Sequence, residues 1–135
     1  MRATTSRLKQ RSEYLRVAGT RRRYAAPGVV VQFYRRPAGK SDADEIRYGI
    51  TASRRVGNAV VRNRVRRRLR AAAEQVLPTM AAPGCDYVLV GRQATAQRSF
   101  DELIGDLRTA LQRLRAYRHP PAVCGGEAAP GEQRE

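Results

Sequence analysis

The sequence predicts an α/β fold in which helices pack on a small sheet. Three observations lead to this fold class: amphipathic segments with a helical period, segments with the composition or alternation of strands, and one continuous apolar run of strand length. Their order along the chain is helix, strand, strand, helix, strand, helix. Such elements bury their apolar faces when helices pack against a sheet. The length of 135 residues fits one domain.

The first three predicted elements are short. Residues 12–18 have helical character, with an acidic residue near the start and Gly19 just past the end. Residues 29–34 are β-branched and aromatic, which is typical of a strand. A loop over residues 38–45 follows. Residues 46–53 then alternate, which places every second side chain on one buried face of a second strand.

A longer helix is predicted over residues 58–77. Its apolar positions recur every three or four residues from Val61 to Val76 and form one stripe. Asn58 is a favourable N-cap, and Pro78 is expected to end the helix.

The last two elements complete the predicted core. Residues 86–91 form an apolar run of strand length, which indicates burial on both faces of the sheet. Residues 99–114 form an amphipathic helix, with Ser99 and Glu102 in the spacing of a capping box.

The charge of the chain points to a polyanionic partner. Lys and Arg number 27 against 12 Asp and Glu, so the formal net charge is +15. Only two of the basic residues are Lys, and the guanidinium of Arg makes planar, bidentate contacts with phosphate. No acidic residue lies between Glu45 and Glu74, so the centre of the chain is its most basic part.

The two ends differ from the centre. Residues 1–11 are basic and are expected to form a flexible start. Residues 119–135 are rich in Pro, Gly and Glu, and are predicted to be a disordered acidic tail. The single domain is therefore placed at residues 1–118, which carry 26 basic and 9 acidic residues and a charge of about +17.

Several classes of protein are disfavoured. No segment is apolar enough to span a bilayer, and the basic N-terminal region lacks the apolar centre of a signal peptide. Cys85 and Cys124 have no companions at metal-ligand spacing, so a reduced, cytoplasmic protein is expected. The clustered carboxylates Asp42, Asp44 and Glu45 fit a solvated loop better than a metal site.

The helix over residues 58–77 is expected to present guanidinium groups opposite its apolar stripe. At 100° per residue, Arg64, Arg66, Arg67 and Arg70 surround Asn63 on that side. A solvated helix face normally mixes charges of both signs, whereas this one brings like charges to repulsive spacing. Phosphate binding is favoured over a solvated face or a membrane-surface helix. Asn63 adds a hydrogen-bond acceptor that could contact a base edge or a 2′-hydroxyl.

A family resemblance supports this interpretation. The stretch from Arg47 to Arg70 resembles the signature of the protein component of bacterial ribonuclease P. Its most recognisable part is Gly57-Asn58-Ala59-Val60, followed by Arg62-Asn63-Arg64 and Arg66-Arg67. A looser similarity extends over most of the predicted domain.

The resemblance implies a subunit of a ribonucleoprotein that hydrolyses one phosphodiester bond to remove the 5′ leader of precursor tRNA. In that family the catalytic groups and catalytic Mg²⁺ belong to the RNA subunit. The expected partners are thus the ribonuclease P RNA and precursor tRNA, with no membrane and no catalytic residue, cofactor or metal site on this chain. The protein alone is expected to be monomeric.

The resemblance also implies a two-layer α/β (α+β) sandwich with a small mixed sheet. It further implies a left-handed crossover through the Arg-rich helix, although right-handed connections prevail in general. It assigns RNA contacts to one group of residues, named the arginine surface below. These are Arg54, Arg55, Asn58, Arg62, Asn63, Arg64, Arg66, Arg67 and Arg70.

A second implied surface is a cleft between the first helix and the sheet that holds the single-stranded leader. Its candidate residues are Tyr14, Gln32, Phe33 and Tyr34. Ala18 and Gln32 stand where the family pattern leads one to expect aromatic residues. Which of Phe33 and Tyr34 faces the cleft depends on strand register, and Phe33 fits a core position equally well.

Two alternatives remain from the sequence. One is a stand-alone RNA-binding or ribosomal-type protein with no catalytic RNA partner. The other is a DNA-binding module, which is disfavoured because the Arg-rich helix lies between strands and not in a helix-turn-helix arrangement.

Overall fold

The computed structural model describes residues 5–20, 22–36 and 45–114. The predicted loop up to residue 44 and the predicted tail at 119–135 lie outside these residues. The strands are β1 (Thr5–Arg7), β2 (Arg23–Ala25), β3 (Val29–Arg35), β4 (Ile46–Thr51) and β5 (Cys85–Gly91). The helices are α1 (Arg11–Gly19), α2 (Ala59–Met80) and α3 (Phe100–Leu114), with short 3₁₀ helices at Arg54–Val56 and Gln93–Ala96. None of the described helices has the length and apolarity needed to cross a membrane.

The five strands form one mixed sheet in the order β1-β4-β5-β3-β2. β4 runs parallel to both β1 and β5, whereas β3 is antiparallel to β5 and to β2. α2 connects the parallel neighbours β4 and β5 and therefore forms a βαβ crossover. The predicted α/β fold class is confirmed, and the left-handed sense of the crossover stays a prediction.

The sheet carries helices on both faces, so the elements form three layers and not the predicted two. The main core lies on the face that packs against α2 and α3, and it includes Val31, Phe33 and Tyr48. The opposite face packs against α1, where Leu8, Val17 and Val88 form a smaller buried cluster. Because neighbouring residues of a strand point to opposite faces, β5 is buried on both sides, as predicted, although the predicted apolar run includes the charged residue Asp86.

Local sequence signals explain where the long helices begin. The Asn58 side chain accepts a hydrogen bond from the Val61 N–H at 3.0 Å, which confirms Asn58 as the N-cap of α2. At the start of α3, the Ser99 hydroxyl accepts from the Glu102 N–H at 3.1 Å, and the Glu102 carboxylate accepts from the Ser99 N–H at 3.0 Å. The predicted capping box is therefore present.

The prediction that Pro78 ends the long helix is wrong, because α2 continues to Met80. Proline has no N–H to donate to the preceding turn, so one helical hydrogen bond is lost. That loss falls in the last turn, where the Ala81 N–H still donates to the Leu77 carbonyl at 3.1 Å. Pro78 is itself buried, and burial of its apolar ring is favourable.

Two strands differ from the sequence-based expectations. β1 lies within the stretch predicted to be a flexible start, and the next residue, Leu8, is buried and donates its N–H to the Tyr48 carbonyl at 2.8 Å. β2 lies in an arginine-rich segment with no strand pattern. Both are three-residue edge strands that depend on pairing with β4 or β3, so their own residues carry little local signal.

Candidate nucleic-acid interface

α2 presents two chemically different faces. Val65, Leu69 and Ala73 lie on the core side and are at most 1% exposed. Burying one Val or Leu side chain contributes about 1.5–3 kcal/mol, so this stripe fixes the rotation of the helix about its axis. The arginines on the other side are thereby turned away from the core.

The arginine surface is exposed along its length. Eight of its nine residues are exposed, and Arg62, at the edge of the apolar stripe, is half-buried. None of its arginines forms an ion pair with a described carboxylate. The first turn of α2 has no acidic residue, and the positive end of the helix dipole lies there. The result is a concentrated positive charge without a described protein counterion.

The two asparagines of this surface have different environments. Asn58 uses its side-chain oxygen to cap α2, so it has a structural role whatever else it contacts. The Asn63 side-chain oxygen accepts a hydrogen bond from the Arg66 guanidinium at 3.3 Å in an exposed position. Asn63 and Arg66 are thus held side by side, and the Asn63 amide still offers donors to a ligand.

Arg68 lies within the run of arginines in α2, but its side chain faces inward. Its guanidinium donates to the Thr95 carbonyl at 3.1 Å and to the Arg98 carbonyl. Arg98 in turn pairs with Asp106 of α3 through contacts of 2.7 and 3.1 Å. Arg68 therefore joins α2 to the segment before α3, and its guanidinium is not directed to the exposed side of the helix.

An open cavity of about 500 Å³ lies beside the start of α2. Arg55 and Arg92 both line it, together with Ser53 and Gln93. The Gln93 side chain donates to the Arg55 carbonyl at 2.9 Å, which connects the two walls. Arg92 was not predicted from the sequence, because its place beside Arg55 depends on the parallel pairing of β4 and β5, whose ends meet at one edge of the sheet.

The sheet face under α1 brings together three of the four predicted cleft residues. Gln32 and Tyr34 point to this face from β3, and Tyr14 reaches it from α1. All three are half-buried. The Arg16 guanidinium lies 5.7 Å from the centre of the Tyr34 ring, within the range of a cation–π contact.

The floor of this cleft is small and uncharged. Strand pairing places Thr51, Val90, Val30 and Ala25 in one row across the sheet. The first three are half-buried and Ala25 is exposed, so the row remains accessible beside α1. Such a surface can contact bases without offering a competing charge.

Phe33 does not belong to the cleft, which corrects its assignment. It is 1% exposed and lies on the opposite face of the sheet. Its ring stacks on Tyr87 with centroids 5.9 Å apart, and the Arg22 guanidinium covers it at 4.4 Å. Because the residue period of a strand is two, Phe33 and Tyr34 cannot share a face.

A network of buried and half-buried charges positions α1 over the cleft. Arg47 of β4 contacts Asp86 of β5, and its Nη1 donates to Glu13 of α1 at 3.2 Å. Arg36 also contacts Asp86, at 2.6 Å. The N–H groups of Gln10 and Lys9 lower the pKa of Glu13 below its ordinary value, with Arg47 adding to the effect. Glu13 therefore stays ionised near neutral pH and holds the start of α1.

No group of three or more His, Cys, Asp or Glu side chains is close enough to hold a metal ion among residues 5–20, 22–36 and 45–114. Of the clustered acidic residues, Asp42 and Asp44 lie outside those ranges.

The fold and the arginine surface define a small, strongly basic α/β protein of the nucleic-acid-binding class. A family model described as Ribonuclease P matches residues 3–115. A Ribonuclease P protein component from Paramagnetospirillum magneticum is 49% identical over 125 residues, covering 91% of this chain and 92% of the relative. Another from Ruegeria pomeroyi is 53% identical over 110 residues, covering 81% and 86%. The chain therefore belongs to the ribonuclease P protein family.

Solved structures show the same fold. The Staphylococcus aureus RNase P protein aligns with a TM-score of 0.67 at 21% identity, covering 83% of this chain and 97% of that one. The protein from Thermotoga maritima aligns with a TM-score of 0.63 at 22% identity, covering 76% and 92%.

Proposed function

We propose that this chain assists ribonuclease P in removing the 5′ leader of precursor tRNA by binding two RNA elements. The arginine surface binds the catalytic RNA, and the cleft between α1 and the sheet binds the leader. The observation that carries the proposal is the exposed arginine face of α2, which has no described carboxylate partner and whose opposite face is fixed in the core.

The proposed contact with the catalytic RNA is mainly electrostatic. Each phosphate that an Arg neutralises releases counterions, so the affinity is expected to fall steeply as salt rises. The like charges on α2 repel one another in the free protein, and bound phosphates relieve that repulsion. Arg55 and Arg92 extend the basic surface to the cavity at the ends of β4 and β5.

The proposed leader contact combines one ring, one amide and an aliphatic floor. A base stacked on an aromatic side chain contributes about 1–3 kcal/mol regardless of its identity. Tyr14 is suited to this role because it lies over the sheet beside the open row of Val30 and Val90. Gln32 can form hydrogen bonds with a base edge. The Tyr34 ring already contacts Arg16 and borders the cleft.

In the proposed function, the RNA subunit catalyses the hydrolysis and this chain does not. The RNA subunit supplies the catalytic groups and the Mg²⁺ that activates hydrolysis, as the family resemblance implies. This chain contributes positive charge and orientation of the leader. Less Mg²⁺ is then needed to screen the phosphates of the two RNAs.

Reconstitution tests this function against the ribosomal-type alternative. The protein is mixed with the ribonuclease P RNA of the same organism, and precursor-tRNA cleavage is measured over a Mg²⁺ titration at moderate salt. The proposal predicts cleavage at lower Mg²⁺ than the RNA alone requires. Spermidine at matched positive charge serves as the control for non-specific screening. If the protein stimulates no more than spermidine, the chain is not a functional ribonuclease P subunit.

A further inference from the structure

Gly49 lies in the middle of β4, directly beneath the ring of Tyr14. A β-carbon built at Gly49 would overlap the Tyr14 hydroxyl oxygen and Cζ, and would lie 2.5 Å from Cε2. Carbon atoms in contact normally stand about 3.5–4.0 Å apart. The ring therefore occupies the space that any side chain at position 49 would fill.

The need for glycine here comes from space and not from backbone conformation. Gly49 is a strand residue paired with Val88 of β5, and glycine weakens the interior of a strand. Its strand neighbours on the same face, Arg47 and Thr51, both carry side chains. The missing side chain leaves a notch between them, and Tyr14 lies in it.

α1 cannot easily move away from the sheet to accommodate a side chain at position 49. Glu13, next to Tyr14, is bound to Arg47 at 3.2 Å, and Val17, one turn later, is completely buried. These contacts on either side hold the helix on the sheet. A side chain at position 49 would therefore displace the Tyr14 ring before it displaced the helix.

We propose that Gly49 is a positioning residue for leader binding, because it fixes the height and direction of the Tyr14 ring at the wall of the cleft. The inference rests on the proposed function, in which that ring stacks on a leader base. The hydroxyl, Cζ and Cε2 of the ring lie against the sheet at Gly49, so a leader base would stack on a part of the ring that is turned away from Gly49. Gly49 acts through Tyr14 and does not itself contact RNA.

The test compares Gly49→Ala, Tyr14→Ala and the double variant in the reconstituted holoenzyme. Affinity is measured for precursor tRNA and for leaderless tRNA, alongside the affinity of each protein for the catalytic RNA. Both single variants are expected to lose at least about fivefold in affinity for precursor tRNA. Affinity for leaderless tRNA and for the catalytic RNA is expected to stay within about twofold of the wild type, since no contact to either is removed. Gly105→Ala, at a glycine with open space around it, is the matched control.

The double variant separates positioning from general damage. If Gly49 acts through Tyr14, the double variant loses no more leader-dependent affinity than Tyr14→Ala alone. Its thermal unfolding midpoint is also expected to exceed that of Gly49→Ala, because removing the ring removes the clash. Should Gly49→Ala fail to fold, Gly49→Ala with Tyr14→Phe replaces it and is compared with Tyr14→Phe; this pair lacks the overlap at the hydroxyl and keeps the one at the ring carbons, which still displaces the ring.

The outcomes distinguish this inference from the proposed function. Equal losses for precursor and leaderless tRNA in Tyr14→Ala would refute the leader-stacking role itself. A leader-selective loss in Tyr14→Ala without one in the Gly49 variant would overturn only the positioning role. Additive losses in the double variant, or no recovery of its thermal midpoint, would also overturn it.

Discussion

The buried carboxylate of Asp86 accepts hydrogen bonds from both Nε and Nη2 of Arg47, at 2.9 Å each. The same Arg47 guanidinium reaches Glu13 on α1, so one side chain links the centre of the sheet to the helix above it. α1 has only one completely buried residue, Val17, and its apolar contact with the sheet is small. The placement of the cleft wall therefore depends strongly on these ion pairs.

Removing the carboxylate of Asp86 should be strongly destabilising. Asp86→Ala removes a carboxylate that is 0% exposed and that both Arg36 and Arg47 contact. Breaking a buried ion pair in this way costs about 3–5 kcal/mol. Urea unfolding measures the change, with Asp101→Ala on the exposed side of α3 as a control expected to lose less than about 1 kcal/mol. If Asp86→Ala lost no more free energy of unfolding than Asp101→Ala, the ion-pair network around Asp86 would contribute little to stability.

The Tyr48 hydroxyl gives the protein a predictable response to alkaline pH. It donates to the Glu74 carboxylate at 2.5 Å, and burial, followed by that contact, raises the pKa of Tyr48 to about 12. In the unfolded chain the Tyr48 hydroxyl has a pKa of about 10, so it loses its proton at a lower pH than in the folded protein. The contribution of this group to the free energy of unfolding is therefore complete below about pH 10 and is lost as the pH rises through about 12. Urea unfolding at about pH 8 and about pH 11 should show the loss of stability.

Tyr48→Phe isolates this effect. The variant should lose about 1 kcal/mol at neutral pH, because one hydrogen bond is removed, and its stability should fall less between about pH 10 and 12. A residual decline is expected from Tyr87, whose pKa burial raises well above its ordinary value. Identical alkaline profiles for variant and wild type would refute the role of Tyr48.

Arg66 and Arg68 are two residues apart and should behave in opposite ways. Arg66→Ala removes a guanidinium from the exposed face, so it should weaken binding to the catalytic RNA with a change in stability below about 0.5 kcal/mol. Arg68→Ala removes donors to two carbonyl groups and should lower the free energy of unfolding by about 1.5–3 kcal/mol. Filter binding and urea unfolding of both variants provide the comparison. The same pattern in both would contradict the inward assignment of Arg68.

Periodicity and capping signals were sufficient to predict α2 and its two faces. The spacing from Val61 to Val76 fixed the buried stripe, and the position of Asn58 marked the start of the helix. Such features are local, because they depend on residues within one or two turns. The edge strands β1 and β2 were not predictable in this way, since their stability comes from partners distant in sequence.

It was harder to predict which face of the sheet each side chain of β3 occupies, because nearly all of its residues are apolar or aromatic. Apart from Arg35 at its end, Gln32 is the polar exception, and the face that Gln32 marks is the less buried one that also carries Val30 and Tyr34. The alternation of side chains between the two faces of the strand would by itself have placed Phe33 in the core. The notch at Gly49 and the cavity residue Arg92 depend on packing between elements, which the sequence pattern does not encode.

The central claim is that the exposed face of α2 binds RNA while its opposite face builds the core. The most direct test is the affinity of Arg62→Ala/Arg64→Ala for the ribonuclease P RNA over a range of salt concentrations. The control is Arg108→Ala/Arg113→Ala, which removes the same charge from exposed positions on α3. We expect the double variant to lose about ten- to hundredfold in affinity for the RNA, and the slope of log affinity against log salt concentration to be smaller by about two. Its circular dichroism spectrum should be unchanged, and the control should have nearly the affinity of the wild type. An affinity equal to that of the wild type, or an equal loss in the control, would contradict the central claim.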